Sequence, residues 1–169
     1  MQFEQLLKQL EDNAGIIFTL TDGISDERAR WRPDPDSWSV LEVINHLYDE
    51  EYDDFRERLD NILHYPERPW RRINPQGRVT EREYNMRDLE ESVRNFRKAR
   101  EESLAWLREL ESPDWDATWK APFGEITAGD MFASWVAHDI LHIRQLVELH
   151  WYYTLTLTHP YRIDFAGSW

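Results

Sequence analysis

The sequence contains no cysteine, so disulfide bonds, thiolate metal ligands and a cysteine nucleophile are all excluded. It also lacks a long hydrophobic run, and Lys8 is the one basic residue among the first twenty. A secretory signal needs an apolar core behind basic residues, and a membrane-spanning helix needs about 20 apolar residues. We therefore expect a cytoplasmic protein that has no membrane partner.

Basic residues are scarce relative to acidic ones. The 169 residues include 20 Lys and Arg against 33 Asp and Glu, which gives a formal net charge of −13. Such a surface repels phosphate backbones, so no nucleic-acid partner is expected. Hydrophobic residues nevertheless make up 41% of the chain, too much apolar surface for a disordered acidic protein. Length and composition predict one folded domain over residues 1–169.

Four stretches repeat apolar residues at steps of three and four, the period of an amphipathic helix. The predicted helices run from Phe3 to a stop near Asp22-Gly23, from about Val40 to Leu63, from about Leu89 to a stop before Ser112-Pro113, and from about Gly129 to Tyr153. Ser39 and Thr127 open the second and fourth helices as capping boxes. The charges of the third helix are expected to form a solvated face.

The connections differ greatly in length. Residues 64–86 hold three prolines, one glycine and five arginines without a sustained hydrophobic period, which indicates a long loop. Such a loop can run back along a neighbouring helix and leave helices two and three parallel. Residues 115–126, punctuated by Pro122 and Gly124, favour a tight turn or small hairpin, and the tail 154–169 shows no clear helical face.

These elements predict an all-α fold, a four-helix bundle with a long crossover loop between helices two and three. The alternative is a plain up-down-up-down bundle with an excursion at the same place.

Two histidines lie four residues apart in the fourth predicted helix, within His138-Asp-Ile-Leu-His142. Residues at this spacing project from one side of a helix and can share a metal ion. The sequence does not match a zinc peptidase. The metzincin motif needs a glycine and a histidine where this chain has Gln145 and Glu148. The other zincin pattern takes a Glu ligand from a later helix, and no Glu follows Glu148. A di-iron centre needs two acid-x-x-His motifs, and the chain has one.

His46, in the second predicted helix, offers a further nitrogen donor. With the pair on helix four it gives three neutral donors from facing helices, which would leave a coordination position open, as catalytic sites require. The alternative is a set of core histidines satisfied by hydrogen bonds. In that case their removal would lower stability without changing metal content.

Together these motifs resemble the DinB/YfiT-like superfamily of metalloenzymes. The resemblance rests on Trp38-Ser-Val at the start of helix two, on His46 eight residues after that Trp, and on His-Asp-x-x-His-x-x-Gln in the last helix. It implies a bundle with the long crossover, and a metal triad of His46, His138 and His142. Some members resemble thiol S-transferases, which use a divalent ion to lower the pKa of a low-molecular-weight thiol, and others have an isomerase or hydrolase assignment. Zinc or nickel is the expected ion, with iron and manganese as further candidates.

Glu50 and Asp139 are the acidic residues nearest to these histidines in sequence and are the candidate catalytic groups. Glu50, one turn from His46, could accept a proton. Asp139 could hydrogen-bond an imidazole from another helix or face solvent. Gln145 lies one heptad after His138, and so faces the same seam.

Two arginines of the long loop, Arg78 and Arg82, could meet a carboxylate-bearing substrate, and pairing with surface acids is the alternative. Tryptophans outside the helices are expected to anchor loops; they are Trp31, Trp70, Trp115, Trp119 and Trp169. The enzyme hypothesis implies a small-molecule substrate, such as a low-molecular-weight thiol. The competing class is a non-catalytic metal-binding or interaction bundle that works through partners, for example as a homodimer.

Overall fold

The structure is a computed structural model that describes residues 2–121, 124–167 and 169. The α-helices are α1 (Phe3–Thr21), α2 (Asp26–Arg30), α3 (Val40–Asp53), α4 (Phe55–His64), α5 (Pro75–Glu81), α6 (Leu89–Glu109) and α7 (Ala128–Thr158). The strands β1 (Thr118–Ala121) and β2 (Gly124–Thr127) pair as an antiparallel hairpin, and 3-10 helices occupy Tyr84–Met86 and Asp164–Ala166. No helix in the described ranges is long and apolar enough to cross a membrane.

The long helices form the predicted four-helix bundle, in which α3 and α4 together make one of the four members. Side-chain hydrogen bonds give the direction of α3 relative to α6. Asn45 of α3 contacts Ser92 of α6. Further along both helices, Glu51 contacts Arg100. Residue numbers rise together, so α3 and α6 run parallel, and the up-down-up-down alternative is wrong.

Helices α1 and α7 also run parallel. The amide of Asn13 donates to the Val136 carbonyl at 3.3 Å. Later in both helices, the His150 ring bonds the Leu20 carbonyl at 2.7 Å. The first and last helices therefore run in one direction and lie beside each other.

The α3–α4 arm runs antiparallel to α7. The imidazole of His46, in the second turn of α3, lies against that of His142. Phe55, at the start of α4, instead stacks on Trp135, which comes earlier in α7. This crossing brings the second turn of α3 to the middle of α7.

Asp54 divides the second predicted helix in two. Its backbone leaves the helical region, with φ −132° and ψ −92°, so α3 ends and α4 begins there. The Asp54 carboxylate pairs with Arg58 at 2.6 Å. Short acidic side chains disfavour helix interiors because they compete for hydrogen bonds with the backbone. The prediction of one unbroken helix over residues 40–63 is therefore wrong at this residue.

The crossover is more ordered than the sequence pattern indicated. Asn74 caps α5 by accepting from the Gly77 amide at 3.0 Å, and Pro75 occupies the first helical turn. An Asn-Pro start is a helix signal. The hydrophobic period does not reveal this helix, because α5 has only 7 residues. In addition, α7 continues to Thr158 rather than ending at Tyr153.

Both predicted capping boxes and the predicted hairpin are present. The Ser39 hydroxyl accepts from the Glu42 amide while the Glu42 carboxylate accepts from the Ser39 amide, and Thr127 makes the same pair of bonds with Asp130. The strands pair in the register Thr118↔Thr127, and the predicted turn at Pro122 lies outside the described residues.

Two apolar clusters make up most of the core, one at each end of the bundle. One contains Leu10, Leu59, Leu107 and Phe132 among its members, and the other contains Ile17, Ile44, Phe96 and Leu146. Between them lies a buried polar layer centred on Arg100, which is 1% exposed. The aromatic rings of Trp70 and Trp119 stack at 3.9 Å and fasten the crossover to the hairpin.

The cap at Ser39 provides a test of how the crossover is joined to the bundle. Its hydroxyl bonds both the Glu42 amide and, at 2.7 Å, the Asn85 side chain of the crossover. Ser39→Ala is expected to lower the free energy of unfolding by about 1 to 2 kcal/mol, measured by urea titration. Ser25→Ala, which uncaps the 5-residue helix α2, is the matched control and should have a smaller effect. Equal losses in the two variants would contradict this account.

Candidate metal centre

Three histidines from two helices converge on one point between α3 and α7. The Nε2 atom of His138 lies 3.4 Å from Nε2 of His46 and 3.1 Å from Nε2 of His142. One ligand atom from each residue lies within 4.8 Å of the other two. Zinc bonds to imidazole nitrogen of 2.0 to 2.1 Å in tetrahedral geometry place two such nitrogens about 3.3 Å apart. The observed spacing therefore fits a shared ion.

Hydrogen bonding directs nitrogen lone pairs toward the same point. The Nδ1 atom of His142 donates to Oε1 of Gln145 at 2.8 Å, so its Nε2 atom carries a lone pair. The Nδ1 atom of His46 lies 3.6 Å from Oε1 of Glu50, and its Nε2 atom faces the other two histidines. The lone pair on Nε2 of His142 thus points to the place where the three Nε2 atoms meet. A cation would satisfy all three nitrogens.

Burial keeps these imidazoles neutral. Desolvation, reinforced by the neighbouring histidines, lowers the pKa of His46 to about 2. Desolvation also lowers the pKa of His138 to about 3, with contributions from His142 and Arg100. The pKa of His142 is lowered by the same burial. A histidine must be neutral to bind a metal, so the three donors are held in the ligating form.

Aromatic rings fix the orientation of the donors. The indole of Trp38 lies 5.0 Å from the His46 ring, centroid to centroid, and is within 3° of parallel to the His142 ring. The Phe55 ring lies 5.0 Å from the His138 ring. These contacts restrict the rotation of each imidazole. The Gln145 carbonyl accepts a hydrogen bond from the His142 nitrogen that faces away from the site, as is usual for histidines that bind metal.

A cleft opens directly onto the three histidines. Its volume is about 470 Å³, and its walls include Trp38, Glu50, Gln76, Leu141, Arg144 and Gln145. A second cavity of about 480 Å³ continues from it toward Tyr152 and shares Trp38, Gln76, His142, Gln145 and Glu148. The donors are therefore buried from one side and accessible to a small molecule from the other.

Glu50 is placed beside the donors and faces the cleft. It is 4% exposed, and its Oε1 atom has no hydrogen-bond partner within the described residues. Burial and the nearby Asp54 carboxylate together raise the pKa of Glu50 to about 8. Glu50 can therefore take up and release a proton near neutral pH next to His46.

The structure does not place Asp139, the other candidate catalytic residue, in the cleft. Its carboxylate is fully buried and accepts from two guanidinium nitrogens of Arg100, at 2.7 Å and 3.0 Å. Neither expected environment, a hydrogen bond to imidazole or contact with solvent, is observed. The reason is that α7 turns successive side chains to different faces, so Asp139 points into the core while His138 points to the cleft.

Neither loop arginine lines the cleft, although the charge of Arg78 acts on His46 and Glu50. Arg82 bonds Asp49 at 2.5 Å and Asp53 at 3.0 Å. Arg78 pairs with Asp53 at 3.1 Å. Both arginines thus neutralise carboxylates of α3, and Tyr84 donates a further bond to Asp49. The alternative of pairing with acids of the protein describes these contacts, and a contact with substrate stays a prediction.

The comparisons with known proteins agree with this architecture. A family model of the DinB superfamily matches residues 9–146. The chain belongs to the DinB superfamily. Its bundle is similar to YfiT from Bacillus subtilis, at 19% identity and a TM-score of 0.77, over 88% of this chain and 85% of that chain. YfiT is described as a probable metal-dependent hydrolase with an unusual four-helix bundle topology. No curated protein matched.

The family resemblance read from the sequence is therefore confirmed, and the three-histidine group of this DinB-superfamily chain fits a metal-dependent function. The buried role of Arg100 was missed, because the charges of α6 were all expected to face solvent. A signal existed: Arg100 follows Phe96 by four residues and precedes Leu104 by four, which is the spacing of the buried face.

The depressed histidine pKa values predict the acid sensitivity of the metal-free protein. The unfolded chain takes up protons at histidine below about pH 6.5, whereas folded His46 and His138 remain neutral to a much lower pH. Acid therefore favours the unfolded state. Replacing His138 by Gln should reduce the slope of unfolding free energy against pH, between about pH 6 and 4, by up to about 1.4 kcal/mol per pH unit. Denaturant titrations at several pH values, with a chelator present, measure the unfolding free energy of wild type and His138→Gln. Parallel plots of this free energy against pH for the two proteins would contradict the prediction.

Proposed function

We propose that this protein binds one divalent metal ion through His46, His138 and His142 and acts as a metal-dependent enzyme on a small molecule. The observation that carries the proposal is the convergence of three Nε2 atoms, at spacings that fit one ion, at the floor of an open cleft. Structural zinc sites use four protein ligands, whereas catalytic sites use three and leave a position open. Among the described residues, the group of potential ligands contains these three histidines.

Held by these three histidines, a divalent ion would lower the pKa of a thiol or of water and so supply a nucleophile near neutral pH. The protein must supply the rest. Trp38 and Gln145 hold the imidazoles in place, and the cleft positions the substrate. We assign proton acceptance to Oε1 of Glu50, because this atom is buried beside His46 at the cleft and has no hydrogen-bond partner among the residues that the structure describes.

For the reaction, we propose transfer of a low-molecular-weight thiol to an electrophilic substrate. The chain has no cysteine, so the thiol must come from a second substrate. Support for this class comes from the family resemblance in the motifs around His46 and His142. Metal-dependent hydrolysis is the second candidate, favoured by the description of YfiT. Three imidazoles accept several ions, and we propose zinc or nickel as the bound metal.

Metal content tests the proposed site directly. We expect wild-type protein reconstituted with zinc or nickel to retain about one equivalent after dialysis, because the three donors are preorganised. His142→Ala should lose the ion while keeping the helical circular dichroism spectrum. His64→Ala is the matched control, since His64 is an exposed residue of α4 that pairs with Asp60. Elemental analysis measures all three proteins, and a folded wild type without metal would refute the proposal.

Glu50→Gln tests the proton acceptor. The substitution keeps the size of the side chain but removes its ability to take up a proton. We expect zinc content to be unchanged and kcat to fall about 100-fold, the lower range for a general base. The assays are conjugation of glutathione to 1-chloro-2,4-dinitrobenzene and hydrolysis of p-nitrophenyl acetate by the zinc-loaded protein. Glu90→Gln, at an exposed acid of α6 that pairs with Arg94, is the control. A wild-type kcat in Glu50→Gln would remove Glu50 from the mechanism.

A further inference from the structure

The centre of the bundle contains a fully hydrogen-bonded guanidinium. Nε and Nη2 of Arg100 bond Oε1 of Glu51 at 3.0 Å and 2.6 Å. Nη1 and Nη2 bond the two oxygens of Asp139 at 2.7 Å and 3.0 Å, and Nη1 also bonds the Leu10 carbonyl at 2.9 Å. These contacts use the five N–H donors that an arginine possesses. We call Arg100, Glu51 and Asp139 the ionic layer.

The ionic layer connects the four long members of the bundle. Arg100 comes from α6, Glu51 from α3 and Asp139 from α7, while the Leu10 carbonyl belongs to α1. Oε1 of Glu51 also accepts from the Trp135 indole at 3.1 Å, which adds a direct bond between α3 and α7 to the connection through Arg100. Directional bonds thus hold α3 and α7 at a fixed separation at this level.

The same two helices carry the three histidines. Asp139 directly follows His138, and Glu51 lies little more than one turn after His46. Any change in the separation of α3 and α7 therefore changes the distance between His46 and His138.

Stability alone does not explain the ionic layer. Replacing a buried charge cluster by apolar side chains is often neutral or stabilising, because desolvation offsets the attraction between the charges. Here Oε2 of Glu51 is buried without a hydrogen-bond partner in the described residues, a further cost. Metal sites, by contrast, require ligand distances correct to about 0.2 Å. Apolar packing between helices is less specific than bidentate hydrogen bonds in fixing such distances.

We propose that Arg100 is a positioning residue for the metal site: by bonding Glu51 and Asp139 it sets the spacing of α3 and α7 at which the three imidazoles bind one ion. The inference rests on the proposed function, because it concerns the affinity of that site. It predicts that the ionic layer contributes to metal affinity independently of its contribution to stability.

The test compares zinc affinity in variants that separate the two contributions. A triple variant, Arg100→Met with Glu51→Gln and Asp139→Leu, removes the charges, and its Gln retains an acceptor for the Trp135 indole. Arg100→Lys keeps the charge but offers three donors instead of five. Leu107→Ala, which truncates a buried residue of α6 outside the ionic layer, controls for lost stability. Arg108→Met controls for a lost arginine in α6, since Arg108 pairs with Glu11 at the surface.

Zinc affinity is measured by competition with a chromophoric chelator, together with circular dichroism and the visible spectrum of the cobalt-loaded protein. We expect the triple variant to bind zinc at least 10-fold more weakly than wild type, with an altered cobalt spectrum, and Arg100→Lys to lie between them. Leu107→Ala and Arg108→Met should keep wild-type affinity.

Wild-type zinc affinity in a folded triple variant would overturn the inference. If the triple variant does not fold, wild-type affinity and cobalt spectrum in Arg100→Lys would overturn it. A loss of affinity in Leu107→Ala as large as that in Arg100→Lys would also overturn it, because stability would then account for the effect. The absence of zinc binding in wild type itself would refute the proposed function, and with it the basis of this inference.

Discussion

The buried guanidinium of Arg100 is the interaction on which the arrangement of the bundle depends. It bonds a carboxylate from each of two helices and a backbone carbonyl from a third, and it separates the core into two apolar clusters. Apolar side chains can repack with small shifts, whereas a guanidinium with all its donors bonded tolerates little displacement. The candidate metal centre lies beside this rigid layer, between the helices that it joins.

The crossover determines which helices become neighbours. By returning along the bundle it makes α3 and α6 parallel, and α3 then lies antiparallel to α7. This crossing brings His46 to the middle of α7, where His138 and His142 are. The arginines of the crossover neutralise Asp49 and Asp53, so a segment that looks basic in sequence pairs with the acidic face of α3.

Local signals predicted the local structure well. Capping boxes at Ser39 and Thr127 and the apolar period located the long helices, because hydrogen bonds at a helix end depend on neighbouring residues. The break at Asp54 and the short helix α5 were not predicted. The seven residues of α5 are too few to show a hydrophobic period. A single Asp favours a helix end only weakly, and whether the helix breaks there depends on contacts such as that of Asp54 with Arg58.

By itself the sequence determined the helical class, the acidic surface without thiols, and the histidine residues that the structure brings together, because spacing on one helix and family motifs are properties of the chain. Only the tertiary structure decided the partners. Whether Asp139 faced a ligand or the core, and whether Arg100 faced water or two carboxylates, depended on residues about 40 or more positions away. Burial then set the histidine pKa values, since desolvation exists only once the helices have packed.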